Sequence, residues 1–109
     1  MSGSDAPVGP GAGGAGGGVD ACADLRLIRN IEAPVPGVAD QLVPGETLEI
    51  LLREGPPDLV VAVDNHGRDA GGISPTLQLI TCLRQGVAFQ ATVLTVHGGA
   101  VQVEVRAVQ

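Results

Sequence analysis

Gly67-Arg68-Asp69-Ala70-Gly71-Gly72-Ile73-Ser74-Pro75 leads into a short helical pattern that ends at Gly86, and Ala91-Thr92-Val93-Leu94 then turns through Gly98-Gly99 into Val101, Val103 and Val105. This stretch decides the fold. Both central positions of a type I′ turn need positive φ, which glycine adopts without steric conflict, so His97-Gly98-Gly99-Ala100 is expected to be a tight hairpin. Beyond it, Val101, Val103 and Val105 alternate with Gln102, Glu104 and Arg106, the two-residue period of a strand with one buried face. Upstream, Ser74 is placed as a helix N-cap and Pro75 at the first helical position, which needs no donor. The helix is expected over Thr76 to Gln85, with Leu77, Ile80 and Leu83, supported by Leu79, on its apolar side. Gly86 supplies a left-handed stop, and Val87 to Val96 is a long β-type run.

Moving outward from this segment, Ala70-Gly71-Gly72-Ile73 reads as a short strand whose missing side chains permit curvature or close backbone approach. Leu59 to Val63 is almost wholly apolar, a strand expected to be buried on both faces, and Gly55-Pro56-Pro57-Asp58 breaks the chain before it. Leu48, Ile50 and Leu52 alternate with Thr47, Glu49 and Arg53 in a strand opened by the type II turn signal Val43-Pro44-Gly45-Glu46. Val38 to Leu42 is expected to form one helical turn. Asp24 to Ile31 is the first strand, ended by Pro34, Pro36 and Gly37. The order strand, strand, strand, short strand, helix, strand, strand predicts a mainly β fold, a small OB- or SH3-like barrel of five to six strands with one short helix. A flat sheet packed on the helix is the competing arrangement.

Composition narrows the function. Of the 109 residues, the first twenty hold eight of the seventeen glycines, which predicts a disordered tail over 1–20 and one domain over 21–109. That start has no basic residue and no continuous apolar run, so neither a secretory leader nor a membrane anchor is expected and cytoplasmic residence is the default. Six arginines, with no lysine, stand against twelve acidic residues, a net charge of −6 that disfavours non-specific binding to nucleic acid. Phe89 is the single aromatic residue, so stacking platforms are nearly absent. Cys22 and Cys82, in a chain expected to be cytoplasmic, are expected to be reduced and half-buried rather than bonded.

Arg53-Glu54, a Pro/Asp turn through Pro56, Pro57 and Asp58, Val61-Ala62-Val63, Gly67-Arg68, Gly71, Ile73, Pro75, and then Leu83, Gly86, Phe89, Ala91 and Val93 follow one another in an order that resembles the HIRAN domain. The resemblance spans Leu48 to Val105. It implies a modified OB-type barrel and, as in some members of that family, binding of the 3′ end of single-stranded DNA. Glycine stands in Gly71-Gly72-Ile73-Ser74-Pro75 where the family carries an aromatic residue, and stacking on such a ring is worth about 1–3 kcal/mol per base. The chain also resembles small bacterial proteins with a glycine-rich start and a Cys-x-x-Leu entry, here Cys22 and Leu25.

No catalytic set, metal site or cofactor is expected from the residues. Asp64, His66 and Asp69 could in principle bind a cation or pass a proton, but Asx-turn chemistry accounts for each of them. His97 flanks a hairpin turn. Cys82 lies towards the end of its helix, where the dipole disfavours a thiolate, and Ser74 lacks the spacing of a nucleophile elbow. The glycines of 67–72 lack the Lys-Ser/Thr of a phosphate loop. A possible anion or nucleic-acid site consists of Arg53, Arg68 and Arg84, with Gly71 and Gly72 allowing close approach. The expected function is that of a non-catalytic interaction module that offers an aliphatic groove or a sheet edge to a protein partner. The alternative is a HIRAN-like binder of single-stranded DNA 3′ ends.

Overall fold

The computed structural model describes residues 19–108, so the predicted tail, apart from Val19 and Asp20, lies outside the described residues. The chain forms α1 (Val19–Ala23), β1 (Arg26–Asn30), a 3-10 turn (Ala39–Gln41), β2 (Thr47–Arg53), β3 (Leu59–Val63), β4 (Asp69–Ile73), α2 (Leu77–Arg84), β5 (Phe89–His97) and β6 (Ala100–Ala107). The six strands make one antiparallel sheet in the order β1-β6-β5-β2-β3-β4. From β1 onward, the order of strands and helix is the one the hydrophobic periodicity predicts.

The sheet is curled into a half-barrel, and its two edges meet at one end. Glu32, just beyond β1, exchanges two backbone hydrogen bonds of 2.8 Å with Gly72 of β4, and the Val35 N–H donates to the Ala70 carbonyl at 2.9 Å. Gly71 makes this contact possible. Its φ is +153°, and a Cβ there would lie 2.4 Å from Ile31 Cγ2 and 2.8 Å from the Glu32 carbonyl oxygen. The flat sheet is therefore excluded. The inner face is filled by the alternating residues Leu48 and Ile50, Val60 and Ala62, Phe89, Ala91 and Val93, and Val101, Val103 and Val105, all buried. Apolar burial of this kind is the main term that holds a small domain together.

The hairpin forms as the sequence requires, with His97 opposite Ala100 and positive φ at Gly98 and Gly99. Helix α2 departs from expectation at its start. Thr76, not Ser74, is the N-cap: its Oγ1 accepts the Leu79 N–H at 3.1 Å, whereas the Ser74 carbonyl accepts from Arg29 Nε at 2.8 Å. Residues 74–76 carry the chain from β4 to the helix, which displaces the cap. The buried helix face is likewise rotated, with Leu79 and Cys82 inside, Ile80 and Leu83 partly covered, and Leu77 at 84% exposure. At the other end Gly86, at φ +87°, closes a Schellman motif in which the Gly86 and Val87 N–H groups donate to the carbonyls of Leu83 and Cys82.

The cysteines are bonded, contrary to expectation. Cys22 of α1 and Cys82 of α2, 60 residues apart in sequence, form a disulfide with Cα atoms 5.8 Å apart, and both are buried. Sequence separation carries no proximity information, and only the docking of α1 on α2 brings them together. A five-residue helix has no independent stability, so α1 depends on its tertiary ties to the barrel, the disulfide among them.

Candidate functional site

Strand β2 has two unlike sides. Towards β3 it is paired through to its end, from Glu49 opposite Val63 to Arg53 opposite Leu59. Towards β5 the register runs only from Thr47 opposite Thr92 to Ile50 opposite Phe89. Because the Glu46 carbonyl accepts the Val93 N–H, it is the even-numbered residues that direct their peptide groups to β5. The next partner for Leu52 along this ladder is Val87, but the Val87 N–H is already given to the Cys82 carbonyl at 3.1 Å in the helix cap. The two chains therefore diverge after Ile50. A groove of about 690 Å³ opens between them, lined by Glu49, Leu52, Glu54, Leu83, Val87 and Val108 among others. Leu52, Leu83 and Val87 are only partly buried and give it an apolar wall; the exposed Glu49 lies within the paired part of β2, and the exposed Glu54 follows the strand.

The residues singled out from the sequence as an anion site do not act together. Arg53 reaches across β3 to Asp69 of β4, with hydrogen bonds of 2.5 and 2.7 Å. That pair holds the Asp69 carboxyl below the usual carboxylate range and raises Arg53 above its ordinary value. Arg68 is bonded to Asp64 through both Nε and Nη2, each at 2.9 Å. Arg84 is hydrogen-bonded to Asp58 and lies 4.0 Å from Glu54. Each guanidinium thus faces its own carboxylate. Gly71 and Gly72 do permit a close approach, but the chain that approaches is the protein's own Glu32. Around them a second groove, of about 460 Å³, is lined by Leu59, Val61 and Pro75 and by the acids Glu32, Asp58 and Asp69.

The Asp64 cluster is a folded turn. One Asp64 oxygen accepts the N–H groups of His66 and Arg68, both at 2.9 Å, and the other holds the Arg68 side chain. The Arg68 N–H foremost, with the Arg68 side chain and the His66 N–H, holds the Asp64 carboxyl below its ordinary range, against the opposing effect of burial. Asp69 takes no part, being paired with Arg53. Among the described residues no group of three His, Cys, Asp or Glu side chains could hold a metal ion.

Arg26 and Arg106 are cations that sequence reasoning did not single out. The register sets them directly opposite each other on β1 and β6, and among the described residues neither lies within ion-pair distance of a carboxylate. Alternation alone marked both as surface positions, but their pairing needed the register. Among the described residues, no helix is long and apolar enough to cross a membrane. No protein-family model, curated protein or solved structure matches this chain.

Proposed function

We propose that this protein is a non-catalytic interaction module that receives a segment of a protein partner in the groove between β2 and residues 86–88. The observation that carries this reading is the interrupted ladder: a strand edge released by a helix cap, beside an apolar wall. The pairing of Arg53, Arg68 and Arg84 with carboxylates supports it from the other side, because a phosphate would have to compete with an intramolecular anion at each of them. The disulfide fits work in an oxidising compartment, and cytoplasmic residence, the expectation from composition, goes with the reduced chain.

The HIRAN-like reading draws on one observation, the cross-strand neighbours Arg26 and Arg106, whose like charges favour an anion between them. The two readings separate in one experiment. Peptides selected from a random library against the folded chain should shift the amide resonances of Leu52, Leu83 and Val87, and single-stranded DNA with a free 3′ end should leave the spectrum unchanged. If DNA instead shifts Arg26 and Arg106 in a salt-sensitive manner, and Arg106→Glu abolishes that shift, the nucleic-acid reading replaces the protein-binding one.

A further inference from the structure

We propose that the Cys22–Cys82 disulfide is a redox latch: its reduction releases α1 from the barrel while the sheet stays folded, and its re-formation docks α1 again. Covalent and non-covalent ties are unequally divided at this point of the fold. Cys22 of α1 and Cys82 of α2 are joined to each other and each is 2% exposed. Of residues 21–23, only Cys22 is buried. Among the described residues no backbone hydrogen bond runs from α1 to any strand or to α2, and the Leu25 N–H, given to the Cys22 carbonyl at 3.2 Å, stays within its own turn. The sheet takes no backbone bond from α1. β1 begins at Arg26 and pairs with β6 through Asn30, and the seam is closed by Glu32 with Gly72 and by Val35 with Ala70. The bonds that close the half-barrel thus all lie outside α1.

The exchange passes two electrons and takes a dithiol as its reductant. A thiolate of the dithiol attacks one sulfur of the pair, forming a mixed disulfide and expelling the other cysteine as a thiolate; the second thiol of the reductant then displaces the first cysteine, and the reductant leaves as its own disulfide. The two cysteine thiolates take up protons equal in number to those the reductant's two thiols lose. Buried sulfurs are reached only when something moves, and α1 is the element that can. A helix of five residues has little cohesion of its own, and opening a segment with few ties costs far less than unfolding the whole domain. Once both thiols have formed, nothing covalent returns α1 to α2. Cys82 is then a free thiol in the seat that α1 leaves, so the two redox forms present different surfaces on one sheet.

The test uses the full oxidised chain with dithiothreitol as the dithiol, and reads amide exchange and thiol labelling. In reductant the Leu25 amide and those of α1 should exchange faster by about tenfold or more, whereas the Glu32 and Gly72 amides at the seam keep their rates. Cys82 should react with a maleimide without denaturant, and in an unlabelled sample oxidised glutathione should restore both the bond and the protection of α1. The rate of reduction should stay nearly flat in urea below the unfolding midpoint, since opening α1 exposes little surface. Cys22→Ser should reproduce the released state without reductant. Protection of α1 that persists after reduction overturns the proposal, as does loss of the seam amides together with those of α1, or a reduction rate that climbs with urea as steeply as unfolding of the sheet does.

Discussion

The chain contains the dipeptide Gly-Gly twice within its described domain, and the two copies are there for different reasons. At Gly98-Gly99 both residues have positive φ, +57° and +92°, and a Cβ on either would meet nothing within 4 Å. The requirement is wholly local: a two-residue hairpin turn. At Gly71-Gly72 the first residue has no room for a Cβ because Ile31 and Glu32 press against it, whereas a Cβ on the second would make an ordinary 3.7 Å contact. That requirement comes from a segment some forty residues earlier, and it lies in the closure of the barrel. A glycine that a turn demands can be recognised from its neighbours in sequence. One that a distant backbone demands cannot.

The largest effect that tests this division comes from the disulfide, the other long-range tie. Closing a loop of this length stabilises the folded chain by about 4 kcal/mol in the chain-entropy view, so Cys22→Ser with Cys82→Ser should lower the urea midpoint well below that of the parent. Fast exchange in α1 before the sheet unfolds should accompany it. A midpoint unchanged by the double substitution would show that α1 is held by packing alone.

Gly71→Ala is expected to cost about 2–3 kcal/mol, because the added Cβ meets the buried Ile31 side chain and, behind it, Glu32 backbone that is tied into the seam. Loss of protection at the Glu32 and Gly72 amides would locate the damage at the seam. The sharpest contrast is the adjacent Gly72→Ala, which should change stability by no more than about 0.5 kcal/mol. If the two substitutions proved equally harmful, the long-range account of Gly71 would fail. Gly99→Ala should fall between them, at about 1–2 kcal/mol, through the left-handed backbone alone, with the hairpin amides affected and the seam untouched.

The smallest effect concerns acid, and it divides local from distant ties in the same way. The carboxyls of Asp64 and Asp69 are held below the usual carboxylate range in the folded chain. Their stabilisation is therefore complete above the unfolded value of about 4 and is lost as pH falls through the lowered native values. Asp64 draws its hydrogen bonds from within four residues, whereas Asp69 depends on Arg53, sixteen residues away across β3. In an amide exchange titration, acid should loosen His66 and Arg68 together. The Arg53–Asp69 pair, largely exposed and screened, should respond to added salt as well as to acid. Identical salt responses at both places would erase the distinction.

Sequence alone determined the mainly β class, the six strands, the hairpin and the Gly86 stop, because each rests on a period of two or on a φ that neighbouring residues impose. The folded Asp64 turn was legible for the same reason: its donors lie two and four residues further on. Tertiary structure decided the rest. It shifted the helix cap to Thr76 and rotated the buried face of α2 to Leu79 and Cys82, because the path from β4 sets where the helix begins. It also joined Cys22 to Cys82, gave Arg53, Arg68 and Arg84 each a carboxylate, and set Arg26 beside Arg106 through register. The groove is the clearest case. Leu52 has the same alternating pattern as Leu48 and Ile50, and nothing in that pattern says that its partner's N–H has gone to a helix cap. Local conformation is encoded in adjacent residues, but which hydrogen-bonding group is left without a partner depends on where every other segment has already bonded.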